Sequence, residues 1–260
     1  MRTVTACMCA LCTFSVFSGC NELSDQSSPR LSDSTVVAGL KQALKVGTDT
    51  AVSQLNQTDG YLGDAAVRIL LPEDVRLATQ YVDDELLSNP AVRLAAGTVI
   101  EDFKGLTGEL ETQINRAAED AAGTAGPIFF DAVTGITIAD GRSILFAGKD
   151  SAAATTYLRR ETFSPLFDAY RPRVDSVLGV LNVNTLYTNL TTTYNQVKRA
   201  AQPFGLAEDA PNIETDLATY TTNKGLEGLF FKVEIEERAI RQDPVARVDD
   251  LLQEVFGELD

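Results

Sequence analysis

The clearest alternation of apolar and polar positions lies near the end of the chain. Apolar residues recur there at the three- and four-residue spacing of one helix face: Leu226, Leu229, Phe230, Val233 and Ile240. This spacing predicts an amphipathic helix with a buried side. Counting about 100° per residue from Leu226 places Glu237 at roughly 20°, inside the apolar stripe. A carboxylate at such a position needs a partner, because burying an unpaired charge is costly.

Two arginines are placed to reach Glu237. Arg241 lies one helical turn further on, in the acid-before-base order that favours pairing. Arg247 lies just past a predicted corner at Asp243 and Pro244, where Asp as N-cap and Pro at the first helical position indicate a new helix. We therefore expect a helical hairpin, with Glu237 buried and paired with at least one arginine. The cluster of Glu237, Arg241, Asp243 and Arg247 is interpreted as a structural lock, and a functional site is the alternative.

The pattern elsewhere predicts an all-α fold, in a single multi-helix domain over residues 33–257 with short loops. Further helices are predicted at residues 33–55, 72–87, 91–122, 127–133, 151–162, 164–181 and 186–199, and after a capping box at 137–140. Residues 67–72 are expected to be extended. Because no second strand-like run accompanies them, no sheet is expected.

The start of the chain has the order of a secretory signal peptide. One early basic residue, Arg2, precedes an apolar run that ends in Ser18, Gly19 and Cys20. A Cys after such small residues resembles the lipobox of bacterial lipoproteins, which implies lipidation of Cys20 and a signal peptide over residues 1–19. Residues 20–32 would then hold the lipidated Cys and a flexible polar tether. An ordinary signal peptide with an incidental Cys is the alternative. Asn21 favours the outer membrane over the inner one.

Composition restricts the chemistry that the chain can perform. It contains no His and no Trp, and its four cysteines lie at or before position 20. Ser-His-Asp and Cys-His catalysis are therefore excluded, as are metal sites built on His or Cys. The acid-rich turn at residues 56–64 lacks the ligand spacing of a calcium loop, so neither metal nor cofactor is expected. The formal charge of −15 opposes binding to nucleic acid.

Several segments, in their order along the chain, resemble a known family. They are residues 40–47 and 51–52, Asp59-Gly-Tyr-Leu62, Leu71-Pro72, Asn115-Arg-Ala-Ala-Glu119, Ile144-Leu145, Tyr157 with Arg159, Lys224-Gly-Leu-Glu-Gly-Leu-Phe230 and residues 236–247. Together they are similar to the bacterial domain-of-unknown-function family 4197, over nearly all of residues 33–257. The resemblance implies a secreted or lipid-anchored envelope protein. It implies no activity and no catalytic residue.

Three functions remain open. The first is a non-enzymatic binding or scaffolding module that faces the periplasm, held to the membrane by its lipid anchor, with an envelope protein as possible partner. The second is a hydrolase or lyase that uses Glu237, Asp243 or Glu119 as general acid or base, since glycoside hydrolysis needs only two carboxylates. The third is a carrier with a cavity between helices for an apolar ligand. The lack of Trp stacking platforms disfavours the enzyme.

Overall fold

A computed structural model describes residues 31–148 and 152–257. Within these ranges the chain forms nine α-helices and no strand, which confirms the all-α prediction. The helices are α1 (Asp33–Leu55), α2 (Glu73–Tyr81), α3 (Pro90–Ala122), α4 (Ala125–Thr134), α5 (Ile138–Leu145), α6 (Ala153–Val180), α7 (Val183–Ala201), α8 (Leu217–Gln242) and α9 (Asp250–Gly257). None of the helices in the described ranges is long and apolar enough to cross a membrane.

Helices α1, α3, α6 and α8 form most of the contacts between elements. Helix α8 lies against α1, α3 and α6, while α3 also packs against α7. The predicted apolar stripe of α8 is buried in the core, and each of its five residues is at most 2% exposed. Burial of this stripe explains why the neighbouring helices gather around α8, because removing apolar surface from water is the main stabilising term in folding.

The segment predicted as two helices around Ser164 and Pro165 is one continuous helix, α6, so that prediction is wrong. Pro165 and Pro172 both lie inside it and both are exposed. Each Pro removes one backbone donor, but on the solvent side water can satisfy the carbonyl that is freed. On the opposite face the helix buries an uninterrupted stripe: Leu158, Thr162, Leu166, Tyr170, Val174 and Leu178. Ser151, predicted as the start of this region, lies outside the described residues.

The capping box predicted before α5 is present. The Thr137 hydroxyl accepts a hydrogen bond from the Asp140 backbone N–H at 3.2 Å, and the Asp140 carboxylate accepts from the Thr137 backbone N–H at 3.3 Å. Gly141 follows inside the helix, where an added Cβ would lie 2.8 Å from Cγ2 of Val37. The absence of a side chain at Gly141 therefore lets α5 approach α1 closely.

The corner at Asp243 and Pro244 differs from the prediction. It starts a single 3₁₀ turn, Pro244–Ala246, rather than an α-helix. The last helix, α9, begins only at Asp250, and the Asp249 side chain accepts from the Leu252 N–H at 2.9 Å. Helix α9 packs against α1 as well as α8. The two last helices are therefore joined by a longer connection than the sequence indicates.

Candidate functional site

Glu237 lies in the core, where it caps another helix. Its side chain belongs to α8 and is 8% exposed. One carboxylate oxygen accepts from the Ala154 N–H at 3.0 Å, and the other accepts from the Thr155 N–H at 2.7 Å and the Thr155 hydroxyl at 2.8 Å. These residues form the first turn of α6, whose own N-cap residue, Ala152, provides no side-chain hydrogen bond. The negative charge thus satisfies orphan N–H groups at the positive end of the helix dipole.

Arg241 completes the arrangement from one turn further along α8. Its Nε donates to Glu237 at 2.9 Å, and the residue is fully buried. Its two remaining nitrogens donate to the carbonyls of Ile144 and Leu145 at 2.8 and 3.1 Å. Those carbonyls belong to the end of α5, where a cation complements the helix dipole. The pair therefore joins the end of α5 to the start of α6, whereas the sequence interpretation placed the lock at the corner between α8 and the helix that follows it.

The two other members of the predicted cluster, Arg247 and Asp243, make different contacts. Arg247 is 3% exposed and donates to the carbonyls of Ile240 and Arg241 at 3.1 and 3.2 Å, so it caps the end of α8. Asp243 is exposed, and its carboxylate accepts from the Val245 N–H at 2.9 Å. Asp243 therefore lies outside the buried pair, and the partner of Glu237 is Arg241. Cys20, the predicted lipidation site, lies outside the described residues.

The buried pair has little room for a reactant. The four donors on the two oxygens of Glu237 occupy the acceptor sites that a proton or a metal would need. The cavity beside the pair measures about 10 Å³ and is lined mainly by apolar side chains, among them Leu44, Val233 and Phe256. A cavity of this size holds at most one water molecule. The geometry of Glu237 thus suits stabilisation rather than acid or base catalysis.

Glu119, the other buried candidate carboxylate, ties down the loop at residues 56–64. It is 4% exposed, and one oxygen accepts from the backbone N–H groups of Tyr61 and Leu62 at 3.2 and 3.1 Å. Its other oxygen accepts from Arg116 at 2.7 Å, and Arg116 also bonds Asp59 at 2.8 Å. Glu119 therefore accepts from three donors, holds a backbone turn in place and is almost fully withdrawn from solvent.

The same loop inserts a buried tyrosine beneath α8. The Tyr61 hydroxyl donates to the Gly225 carbonyl at 2.7 Å and lies 3.4 Å from the Tyr170 hydroxyl. Burial, together with the neighbouring Tyr170, raises the pKa of Tyr61 well above its ordinary value. Asp64 at the end of the loop bonds Lys232 at 2.5 Å, and this hydrogen bond lowers the pKa of Asp64. The loop is thus fixed to α8 from both of its sides.

A surface groove of about 590 Å³ lies beside the outer face of α8. Residues 66–71 form one wall and the outer face of α8 forms the other. We call it the 66–71 groove; it is lined by Ala66, Val67, Arg68, Ile69, Leu70, Leu71, Glu73, Arg76, Tyr220, Lys224, Glu227, Gly228 and Phe231. Two large apolar side chains are exposed in it, Leu70 at 57% and Phe231 at 41%. Exposed apolar side chains that line one groove are typical of a binding surface.

Sequence reasoning did not find this groove. A pattern that could have indicated it lies in residues 67–70, where buried and exposed positions alternate as in an extended chain. A second signal lies in Phe231, an aromatic residue next to Phe230 but outside the stripe that faces the core. Only the fold brings the two together, because the extended segment and α8 are more than a hundred residues apart in sequence.

Charged side chains border the 66–71 groove. Arg76 pairs with Glu73, and Lys224 pairs with Glu227 at 2.7 Å. Arg68 uses its Nε to bond the Leu62 carbonyl at 2.8 Å, and within residues 31–148 and 152–257 it has no carboxylate partner. The side chains that line the groove therefore carry one more positive than negative charge, on a protein whose formal charge is −15.

Comparison with known proteins gives one result for this fold. No curated protein and no solved structure matches the chain. One family model, described as "Protein of unknown function (DUF4197)", matches residues 30–257. The match extends over the whole of the helical region described above, from α1 to α9. The chain therefore belongs to the DUF4197 family.

Proposed function

We propose that this protein is a lipid-anchored binding module of the cell envelope, without enzymatic activity, that captures a protein partner in the 66–71 groove. Cys20 carries the lipid, the residues between Cys20 and Leu31 act as the tether, and the helical domain faces the periplasm from the outer membrane. The observation that carries the proposal is the groove itself, with exposed Leu70 and Phe231 between charged rims.

The state of the buried carboxylates supports binding over catalysis. A general acid or base must exchange a proton with a substrate within hydrogen-bond reach. Glu237 and Glu119 instead bond backbone N–H groups and arginines in the core. Asp243 is exposed but lies in the 3₁₀ turn after α8, away from the residues that line the groove. The two buried carboxylates thus hold the fold together and are not placed to reach a substrate.

The anchor is tested by replacing Cys20 with Ser. Without the thiol no lipid can be attached, so the variant should leave the membrane fraction or keep its signal peptide. Fractionation of cells followed by immunoblotting measures this directly. If Cys20→Ser fractionates and migrates like the wild type, the lipoprotein assignment is wrong.

The groove is tested by photocrosslinking in cells. A benzophenone amino acid at Phe231 should give a discrete adduct with an envelope protein, because this side chain faces the groove. Phe130 is the matched control, since it is also an exposed Phe on a helix, 58% exposed on α4, but does not line the groove. Equal adducts from both positions, or none from Phe231, would reject the groove as the binding surface.

A further inference from the structure

We infer that the 66–71 groove binds its partner as an extended peptide, which pairs through its main chain with residues 68–70 and places one acidic side chain opposite Arg68. This inference rests on the proposed binding function and adds the chemistry of the ligand. It is carried by the hydrogen bonds of the extended segment, by the two apolar side chains of the groove and by its charge.

The inner edge of the segment is already paired as a strand would be. Ile69 is 2% exposed, while Arg68 and Leu70 on either side are exposed. The Ile69 N–H donates to the Asn115 side chain at 2.9 Å, and Asn115 donates back to the Ile69 carbonyl at 2.8 Å. The amide of Asn115 thus takes the place of a neighbouring strand on the side that faces α3. The segment is held extended without belonging to a sheet.

The opposite edge of the segment is open only at the Arg68 carbonyl and the Leu70 N–H, because the Arg68 N–H donates to the Asp64 carbonyl at 2.8 Å. In an extended chain, successive residues direct their N–H and C=O groups to opposite sides. Leu70 therefore faces away from Asn115, and its carbonyl accepts from the Tyr220 hydroxyl of α8 at 2.9 Å. Throughout the described part of the chain, no group accepts from the Leu70 N–H or donates to the Arg68 carbonyl.

These two open groups have the spacing that a parallel strand uses. In a parallel ladder, one residue donates its N–H to the carbonyl before the facing residue and accepts from the N–H after it. With Ile69 as the facing residue, those groups are the Arg68 carbonyl and the Leu70 N–H. Addition of a peptide to an exposed edge in this way is a common recognition mode, in which side-chain pockets supply specificity.

The side chains around the open edge define the peptide that fits. Leu70 and Phe231 offer apolar surface on the two walls of the groove. Arg68 offers a guanidinium that lacks a carboxylate within the described residues. The acidic residue of the peptide is placed at Arg68, because Tyr220 in the same groove faces the negative charges of Glu227, Glu73, Asp74 and Glu111. A peptide of alternating apolar residues with one acidic residue matches this surface.

The test measures binding of a synthetic peptide to the purified full-length protein. The probe is a short fluorescent peptide of alternating Val and Thr with one central Glu, and its binding is followed by anisotropy. The comparison peptides carry Lys in place of Glu, or N-methyl groups on alternate amides, which remove main-chain donors. We expect each comparison peptide to bind at least tenfold more weakly. Equal binding of the N-methylated or the Lys peptide would overturn the inference.

Protein variants give an independent check. Leu70→Pro removes an N–H that has no protein acceptor, so it should weaken the Glu peptide at least tenfold while the melting temperature stays close to that of the wild type. Phe231→Ala should weaken it similarly, and Phe130→Ala should leave it unchanged. If Phe231 gives adducts in cells but the Glu peptide does not bind, the peptide chemistry is wrong while the proposed function stands. If neither occurs, both fail.

Discussion

Replacing Glu237 by Gln removes one buried negative charge and keeps the side-chain volume. The carboxylate accepts from four donors, which are the Ala154 N–H, the N–H and hydroxyl of Thr155, and the Arg241 guanidinium. An amide has one oxygen and one NH₂ group, so at least one of these donors would then face another donor. Arg241, which is fully buried, would also lose its counter-charge.

The expected decrease in the free energy of unfolding follows from the mispaired donor and the unpaired Arg241. Removing one partner of a buried ion pair costs about 3–5 kcal/mol, because the remaining charge stays buried without compensation. The carbonyls of Ile144 and Leu145 still accept from Arg241, which places the cost at the lower end, about 3 kcal/mol. In a domain of this size, each kcal/mol lowers Tm by about 2–4 °C. Glu237→Gln should therefore lower Tm by about 6–12 °C.

Thermal and urea unfolding followed by circular dichroism measure this effect. Glu234→Gln is the matched control on the same helix, because Glu234 pairs with Arg238 at 2.6 Å but the two side chains are 36% and 52% exposed. Such a surface pair contributes under about 1 kcal/mol. Adding Arg241→Met to Glu237→Gln should recover part of the loss, since no unpaired charge then remains buried.

Two outcomes would refute this reasoning. If Glu237→Gln and Glu234→Gln melt at the same temperature, the pair does not stabilise the fold. If Glu237→Gln leaves stability intact but abolishes an envelope phenotype, Glu237 is a functional carboxylate. The double variant distinguishes the effect of the unpaired charge from that of packing. If altered packing alone caused the loss of stability, the double variant would be as unstable as Glu237→Gln.

Three further predictions concern metal, close packing and alkaline pH. Unfolding curves with and without chelator or reductant should superimpose, because the loop at residues 56–64 lacks a calcium ligand pattern and the helical domain contains no cysteine. Gly228→Ala should destabilise the fold by about 1–3 kcal/mol, because the added Cβ would lie 2.8 Å from the buried Tyr61 ring. Gly108→Ala should stabilise the fold by up to about 1 kcal/mol, because its added Cβ would meet no atom within 4 Å beyond the adjacent residues of its own helix and Ala favours a helix. Burial raises the pKa of Tyr187 from 10.0 to about 12. Because Tyr187 therefore ionises first in the unfolded chain, its contribution to the free energy of unfolding should be fully present below about pH 10 and be lost between about pH 10 and 12.

Each of these has a decisive measurement. A shift of several degrees in chelator would restore a calcium site at residues 56–64. Equal melting temperatures for Gly228→Ala and Gly108→Ala would mean that the contact with Tyr61 is not tight. For the tyrosines, absorbance of the tyrosinate and loss of helix should develop together as the pH rises. Full tyrosine ionisation in a chain that keeps its helical spectrum would contradict the prediction.

The helices of this protein are predictable wherever an apolar stripe is long. The stripes of α1, α3, α7 and α8 give their helices directly, and the turn residues at 56–64 and the capping box at Thr137 mark true boundaries. Pro165 misleads, because its local preference for a helix start is outweighed by the buried stripe of α6. Asp243 and Pro244 favour the start of an α-helix, but only a 3₁₀ turn begins there. There Arg247 leaves the helical path to cap α8.

The candidate sites are likewise predictable only in part from the sequence. Burial of Glu237 and its contact with Arg241 follow from helix geometry alone, because both residues lie on one helix at a spacing of one turn. The helices that the pair joins cannot be predicted from the sequence, because Ala154 and Leu145 belong to other elements. The 66–71 groove was missed for the same reason. It is made by a short extended segment and a helix face that only tertiary packing brings together.

The capping of α6 from α8 also sets an order of events when the chain folds. Ala154 and Glu237 are 83 residues apart, so the first turn of α6 is synthesised long before the side chain that satisfies it exists. A chain that emerges from its N-terminus forward cannot complete the cap on the first turn of α6 until α8 has been made. Products truncated before Glu237 would therefore leave this first turn uncapped and easier to cleave by proteases.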